Sequence, residues 1–191
     1  MGQTMLVVGA LTMLAMLTLS INGTFISSIA TGLEAQSQLN ALSIAQTLLD
    51  EILARDFDEN SIGTLVYADS QFTTSANFGP DGSGESLNLL GLGTILGYSN
   101  VDTSYLSKTR FDDVDDYHNY HRAVKDSILG WFYIKSTVTY ARETYPDSLI
   151  TDRTHYKVVN VDCYHPNLPV DLNDSTIWIS LQDISIYRRY F

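Results

Sequence analysis

The chain has 191 residues, one cysteine and a net charge of −11 from 11 basic and 22 acidic side chains. An acid excess of that size disfavours nucleic acid and anionic membrane surfaces as partners, and a lone Cys163 excludes an intramolecular disulfide. Every charge lies at or beyond Glu34, so the excess belongs wholly to the part of the chain that follows an uncharged N-terminal stretch.

That uncharged stretch reads TMLVVGALTMLAMLTLS over Thr4 to Ser20 and INGTFISSIATGL over Ile21 to Leu33. Its apolar part is long enough to cross a bilayer, for which roughly twenty apolar residues suffice. A secretory leader would open on a basic residue, and no Lys or Arg precedes Arg55, so the stretch is expected to stay in the working protein. After Glu34 the pattern turns amphipathic: Leu39, Leu42, Ala45, Leu48, Leu49, Ile52 and Leu53 recur at helical spacing. One helix thus runs from Met1 to Ile52, and at a rise of ~1.5 Å per residue it spans about 75 Å, more than one domain holds. Ile21 to Gly32, with Asn22, Gly23, Gly32 and several Ser, Thr and Ile residues, is its weakest helix former. Either the helix gives way there, inside packed protein where its amides find partners, or it continues through tolerated glycines. Residues 1–33 form the apolar unit, and residues 34–191 form a single head that includes the amphipathic half of the helix.

The segment DFDENSIG ends the helix, with Gly63 as the stop. Thr64 to Tyr67 is expected to form a short strand, and Ser70 to Gly97, which contains GPDGSGES, an exposed loop. Neither GSGES nor GLGTILG supplies the Lys followed by Ser or Thr that a phosphate-binding loop requires. Three β-rich runs follow: WFYIKSTVTYA, THYKVVNVDCYH and STIWISLQDISIY, separated by turn-rich segments that carry prolines. They predict an antiparallel meander. Phe132, Ile134, Ser136, Val138 and Tyr140 share one face, Ile177, Ile179, Leu181, Ile184 and Ile186 are core candidates, and the broken alternation near Gln182 and Asp183 suggests a bulge. A sheet with one apolar face needs a cover, and Leu39 to Leu53 is the long apolar stripe available. The expected class is α+β, a long N-terminal helix whose C-terminal half packs on an antiparallel β-sheet.

Asp112, Asp113, Asp115 and Asp116 put four carboxylates within five residues. Such a run is a solvated acidic turn, a partner for Arg110 and Arg122, or a weak calcium site, since calcium takes hard oxygen ligands. It lacks the glycine turn and closing glutamate of an EF-hand. His118 and His121, three apart, share a face if helical but lack a third ligand for zinc. Cys163 reads as a buried structural thiol. No nucleophile has a recognisable setting, so no enzymatic activity is expected. Asn173-Asp174-Ser175 and Asn22-Gly23-Thr24 match the glycan acceptor pattern.

The uncharged helix, its continuation AQTLLDEILARDFDE, the run RFDDVDDYHNY and the terminal strands together resemble the type IV pilin and pseudopilin superfamily over nearly the whole chain. The likeness is nearest to its minor pilins, through Glu51 to Leu53 and Asp112 to Tyr117. Met5 stands where members usually carry a glutamate, or Val7 if the chain is cut after Gly2; Asn22 stands where many have proline, and Cys163 where many have a disulfide. The resemblance implies a pilin-like fold and a structural subunit of an extracellular helical filament at the cell surface, held in the inner membrane before assembly. Its partners would be copies of itself and, beforehand, that membrane and the pilus assembly machinery. The assembly interface expected on this reading is Leu6, Val7, Val8, Leu11, Leu14, Met16, Leu17, Leu19, Ile21, Phe25 and Ile29, with Gly9, Ala10, Ala15, Gly23 and Gly32 allowing close backbone approach. No cofactor is required, and calcium is the one considered. The alternatives are a single-pass membrane-anchored surface binding domain and a minor pseudopilin of a secretion system. The lack of flanking basic residues, which orient a permanent span, favours the filament.

Overall fold

Helix α1 runs unbroken over Gly2–Leu53 in the computed structural model, which describes residues 2–81, 84–85, 93–173 and 175–188. Of the two sequence outcomes for Ile21 to Gly32, the continuous helix is the one found. Part of the reason is local: Thr24 and Thr31 donate their hydroxyls to the carbonyls of Ser20 and Ser27, both at 3.0 Å, so these side chains bond to the helix instead of competing with it. The helix ends where DFDENSIG begins, and Gly63 supplies a left-handed turn at φ 66°. Asp58 caps the 3-10 turn Glu59–Ser61, accepting from the Asn60 amide at 3.2 Å.

A small hairpin of β1 (Gly93–Ile95) and β2 (Tyr98–Val101) precedes the main sheet. The main sheet comprises β3 (Tyr120–Asp126), β4 (Gly130–Ala141), β6 (Tyr156–Tyr164) and β7 (Ile179–Ile186) in that antiparallel order, with β5 (Leu149–Ile150) paired to the end of β4. Strands β4, β6 and β7 are the three expected runs. Strand β3 was not anticipated, because YHRAVKD carries three basic or ionisable side chains and an acid in seven residues.

One sheet face carries Ile134, Ser136, Val138 and Tyr140 beside Lys157, Val159, Val161 and Cys163, which pair across β4 and β6. All eight are buried. Helix α1 lies on this face over β6 and β7 and buries Ser37, Ala41, Ala45, Leu48, Leu49 and Ile52. The order along the stripe matters: Ser37, Ala41 and Ala45 let the helix approach closely, and the larger side chains follow as it nears its end. Leu39 and Leu42, expected in the stripe, are 68% and 44% exposed, because the buried arc is rotated toward the small residues.

Three further expectations change. Thr64 to Tyr67 is irregular, its buried Val66 amide donating to the Tyr187 hydroxyl at 2.9 Å rather than to a strand. Strand β7 has no bulge: its register against β6 is continuous from Tyr156↔Ile186 to Cys163↔Ile179. Ile179 and Leu181 therefore face the helix, whereas Ile184 and Ile186 fall on the opposite face and Ile177 is 48% exposed, outside the core. The Ser70 to Gly97 segment is more than an exposed loop, since Phe72 is buried against Phe57, Val66 and Tyr140 and residue 93 begins a strand. Gly82, Ser83 and Ser86 of GPDGSGES lie outside the described residues.

Burial along α1 begins at Glu34, and every described residue before it is exposed. A chain beginning at Thr31 keeps the whole helix–sheet contact. It is expected to give a folded, soluble head with mixed helix and strand signal by circular dichroism; an unfolded or aggregated product in sedimentation would show that the head needs the rod.

Candidate functional site

Two surfaces or clusters stand out, the uncovered rod and the polar clusters that seat α1 on the sheet. On the rod, Leu6, Val7, Val8, Leu11, Leu14, Met16, Leu17, Leu19, Ile21, Phe25 and Ile29 are each between 50% and 74% exposed. Isolated exposed leucines are ordinary, but an uncharged, largely apolar surface all around a helix for about nine turns marks contact with something outside the chain. Along the rod, Thr12 and Thr18 donate to the carbonyls of Gly9 and Leu14, each at 2.8 Å, as Thr24 and Thr31 do to those of Ser20 and Ser27. Where the rod leaves the head, Ala30, Leu33 and Glu34 line a shallow groove with Asn167, Pro169 and Val170.

At the other end of α1, Glu51 meets Arg122 of β3 in a two-pronged ion pair, with Nη1 to Oε2 at 2.9 Å and Nη2 to Oε1 at 2.5 Å. Arg122 is buried and Glu51 largely so, the exposed side-chain fractions being 2% and 9%. The Ser107 and Tyr117 hydroxyls donate to the same carboxylate at 2.9 Å. Burial pushes the Glu51 carboxyl up, and the Arg122, Ser107 and Tyr117 donors outweigh it and hold the group below its ordinary range. Arg122 Nε donates to the Tyr120 hydroxyl at 3.0 Å, which in turn donates to buried Asp102 at 2.6 Å. Asp102 also accepts the Ser104 and Leu106 amides. One network thereby ties the helix, the 102–107 loop and β3 together.

A second cluster surrounds Lys157 of β6, whose side chain is fully buried. Its ammonium donates to Asp58 at 2.9 Å, to Asp115 at 2.6 Å and to the Phe57 carbonyl at 2.7 Å, which uses all three of its protons. Asp58 also accepts from the Thr73 amide and hydroxyl. The acidic run is accordingly no solvated turn: Asp113, Asp115 and Asp116 are buried and only Asp112 is exposed. Nor does Arg122 serve it, being committed to Glu51. The run holds the chain in place by backbone as well, through Asp56 amide to Asp112 carbonyl at 3.2 Å and Val114 amide to Asp56 carbonyl at 2.9 Å.

The four aspartates do not converge on one point. The oxygens that do come within 4.8 Å of one another are those of Asp81, Glu85 and Asp116, so of the four residues expected to hold calcium only Asp116 belongs to this group. Asp81 and Glu85 come from the loop before β1, at a sequence distance no local motif discloses. Burial and the neighbouring Glu85 carboxylate raise Asp116 to about 7. Burial, with Asp115 and Asp116 adding their charges, raises Asp113 above the ordinary carboxylate range.

His118 and His121 share no helical face. His118 Nδ1 lies 2.7 Å from the Val138 carbonyl, whereas His121 lies in β3 with its ring against Tyr133. Cys163 is buried on the helix-facing side, and burial pushes its thiol up to about 12. Neighbouring His165 is engaged elsewhere, stacked on Phe132 and 3.0 Å from the Leu129 carbonyl, so the pair forms no nucleophile and base. Asn173 is exposed at a turn closed by the Asp171 amide to Ser175 carbonyl bond; Asp174 lies outside the described residues. Asn22 of the other acceptor pattern lies within α1. Comparison with protein-family models, curated proteins and solved structures finds no match to this chain.

Arg122→Ala leaves Glu51 buried without its cation. It is expected to lower head stability by about 3–5 kcal/mol in denaturant unfolding, and the isosteric pair Arg122→Met with Glu51→Met by much less.

The raised carboxyls of Asp113 and Asp116 bind protons more tightly folded than unfolded, so their ionisation works against the fold. Stability is therefore expected to increase as pH falls through about 7 and to level off near the unfolded carboxylate value of ~4, with a total change of a few kcal/mol. Thermal melts at pH 8 and pH 5 check this, and Asp113→Asn with Asp116→Asn should flatten the difference. Calcium at pH 8 would neutralise the same cluster; an unchanged melt on adding chelator assigns the neutralising role to protons.

Proposed function

We propose that the chain is a structural subunit of an extracellular helical filament, a type IV pilus-like polymer joined through the N-terminal helices. The observation that carries this reading is the rod: residues 2–33 are exposed on every side, bear no charge and continue without a break into the helix that the head grips. A surface of that kind has no stable place in water. In a polymer, each rod is covered by its neighbours and each acidic head stays outside, with Leu6 to Ile29 as the buried contact. Open filaments arise when one heterologous contact repeats with a rotation and rise that do not close.

The rod's length supports the same reading. Thirty-two residues extend about 48 Å, whereas the hydrocarbon layer is about 30 Å thick. A lipid-only location therefore leaves roughly a third of the apolar helix outside the layer, and a bundle of like helices covers all of it. The bilayer is where the rod resides before assembly, in an inner membrane from which assembly machinery extracts it. The acidic heads leave no role for nucleic acid. The subunit itself performs no catalysis.

Leu14→Lys places a charge in the middle of the proposed bundle, where it has no partner, at a cost of several kcal/mol per subunit. It is expected to abolish polymer in a sheared surface fraction imaged by negative stain, while the head keeps its circular dichroism. Wild-type protein found only as detergent-soluble monomer in membranes would replace this reading with a single-pass anchored surface domain.

A further inference from the structure

The Lys157 cluster holds an amine, a carboxyl carbon and a set of oxyanion donors together away from water. The side chains of Lys157 and Asp58 are fully buried, and that of Asp115 is 4% exposed. The rings of Phe57, Phe78 and Tyr140 surround the Lys157 nitrogen, with centroids at 4.5, 5.0 and 5.5 Å. The two oxygens of Asp58 have different surroundings. Oδ1 accepts the Asn60 amide at 3.2 Å and the Thr73 amide and hydroxyl, both at 3.1 Å. Oδ2 lies 2.9 Å from Lys157 Nζ, shares the Thr73 amide at 3.0 Å and meets the Tyr140 hydroxyl at 3.4 Å. Donors fixed around one carboxyl oxygen stabilise the charge that develops there when a nucleophile adds to the carbon. A lysine in an apolar pocket is such a nucleophile once it has given up a proton.

We propose that Lys157 and Asp58 condense into a side-chain amide, a covalent link between the chain just past α1 and strand β6. The ammonium first passes one proton to Asp58 Oδ2, which leaves a neutral amine beside a neutral acid, the forms that a dry site favours. The amine lone pair then attacks Asp58 Cγ. A C–N bond forms, and the negative charge gathers on Oδ1 against the Asn60 amide and the Thr73 amide and hydroxyl. Asp115, whose Oδ1 lies 2.6 Å from the same nitrogen, takes a second proton and returns it to the Oδ2 hydroxyl. The C–Oδ2 bond breaks and one water leaves. The nitrogen keeps its third proton as the amide N–H, and Asp115 ends as it began, so the step needs no oxidant and no further reactant. Exclusion of water from the pocket works against the reverse hydrolysis. The amide joins positions 99 residues apart. It lies within the head and is independent of the filament reading.

The test is the intact mass of full-length protein, purified in detergent and then denatured. Wild type should be lighter by one water than the mass of its processed sequence, and proteolysis should yield a branched peptide joining Asp58 to Lys157. Lys157→Met and Asp58→Ala should each show the full mass. Asp115→Asn keeps the shape of the relay without its basicity and should leave most of the protein unlinked. Wild type at its full mass overturns the cross-link, whatever the variants do. So does a water deficit that maps to an unbranched peptide, the mark of a succinimide at an aspartate. A branch at Asp115 in place of Asp58 overturns the assignment of the oxyanion donors, and Asp115→Asn protein linked as fully as wild type overturns the relay.

Discussion

The Glu51 to Arg122 pair decides where the rod stands relative to the head. Apolar packing of Ala41, Ala45, Leu48, Leu49 and Ile52 on the sheet is non-directional and tolerates sliding by a turn. A buried ion pair with two prongs does not: moving the helix by ~5.4 Å strands both charges in a dry environment. Lys157, held between Asp58 just past the helix and Asp115 of the acidic run before β3, applies the same restriction a few residues on. Hydrophobic area thus brings helix and sheet together, and the two ion clusters choose a single seating.

Because α1 is one continuous helix, that choice propagates. The angle and height at which residues 2–33 leave the head follow from contacts at residues 37–58, with no hinge between them. Helix continuity also explains the treatment of polar groups along the rod. Threonines are accommodated by bonding within the helix, charges are absent, and the exposed apolar arc of Leu39 and Leu42 extends the same surface onto the side of the head.

The parts legible in the sequence were those governed by local periodicity. The long helix, its end at DFDENSIG, the three apolar strands and the α+β class follow from spacings of 3.6 and 2 and from turn residues. Strand β3 was hidden because its side chains serve buried polar pairs, so Arg122 reads as surface until Glu51 is seen against it. The acidic run misled for the same reason: four clustered carboxylates look solvated, and a single lysine 42 residues from Asp115 changes that. On β7 the apolar residues change face at Asp183 without any extra residue in the ladder, and the pattern mimics a bulge. The Asp81, Glu85 and Asp116 grouping depends on how a long loop returns to the body, which no periodicity encodes.

The seating of α1 has a mechanical side. A force along the axis of α1 would load both ion clusters, because one joins the last turn of the helix to β3 and the other joins the chain just past it to β6. The two prongs on Glu51 and the three bonds on Lys157 would share that load. Below the load at which those bonds break, the sheet and helix would move as one stiff body.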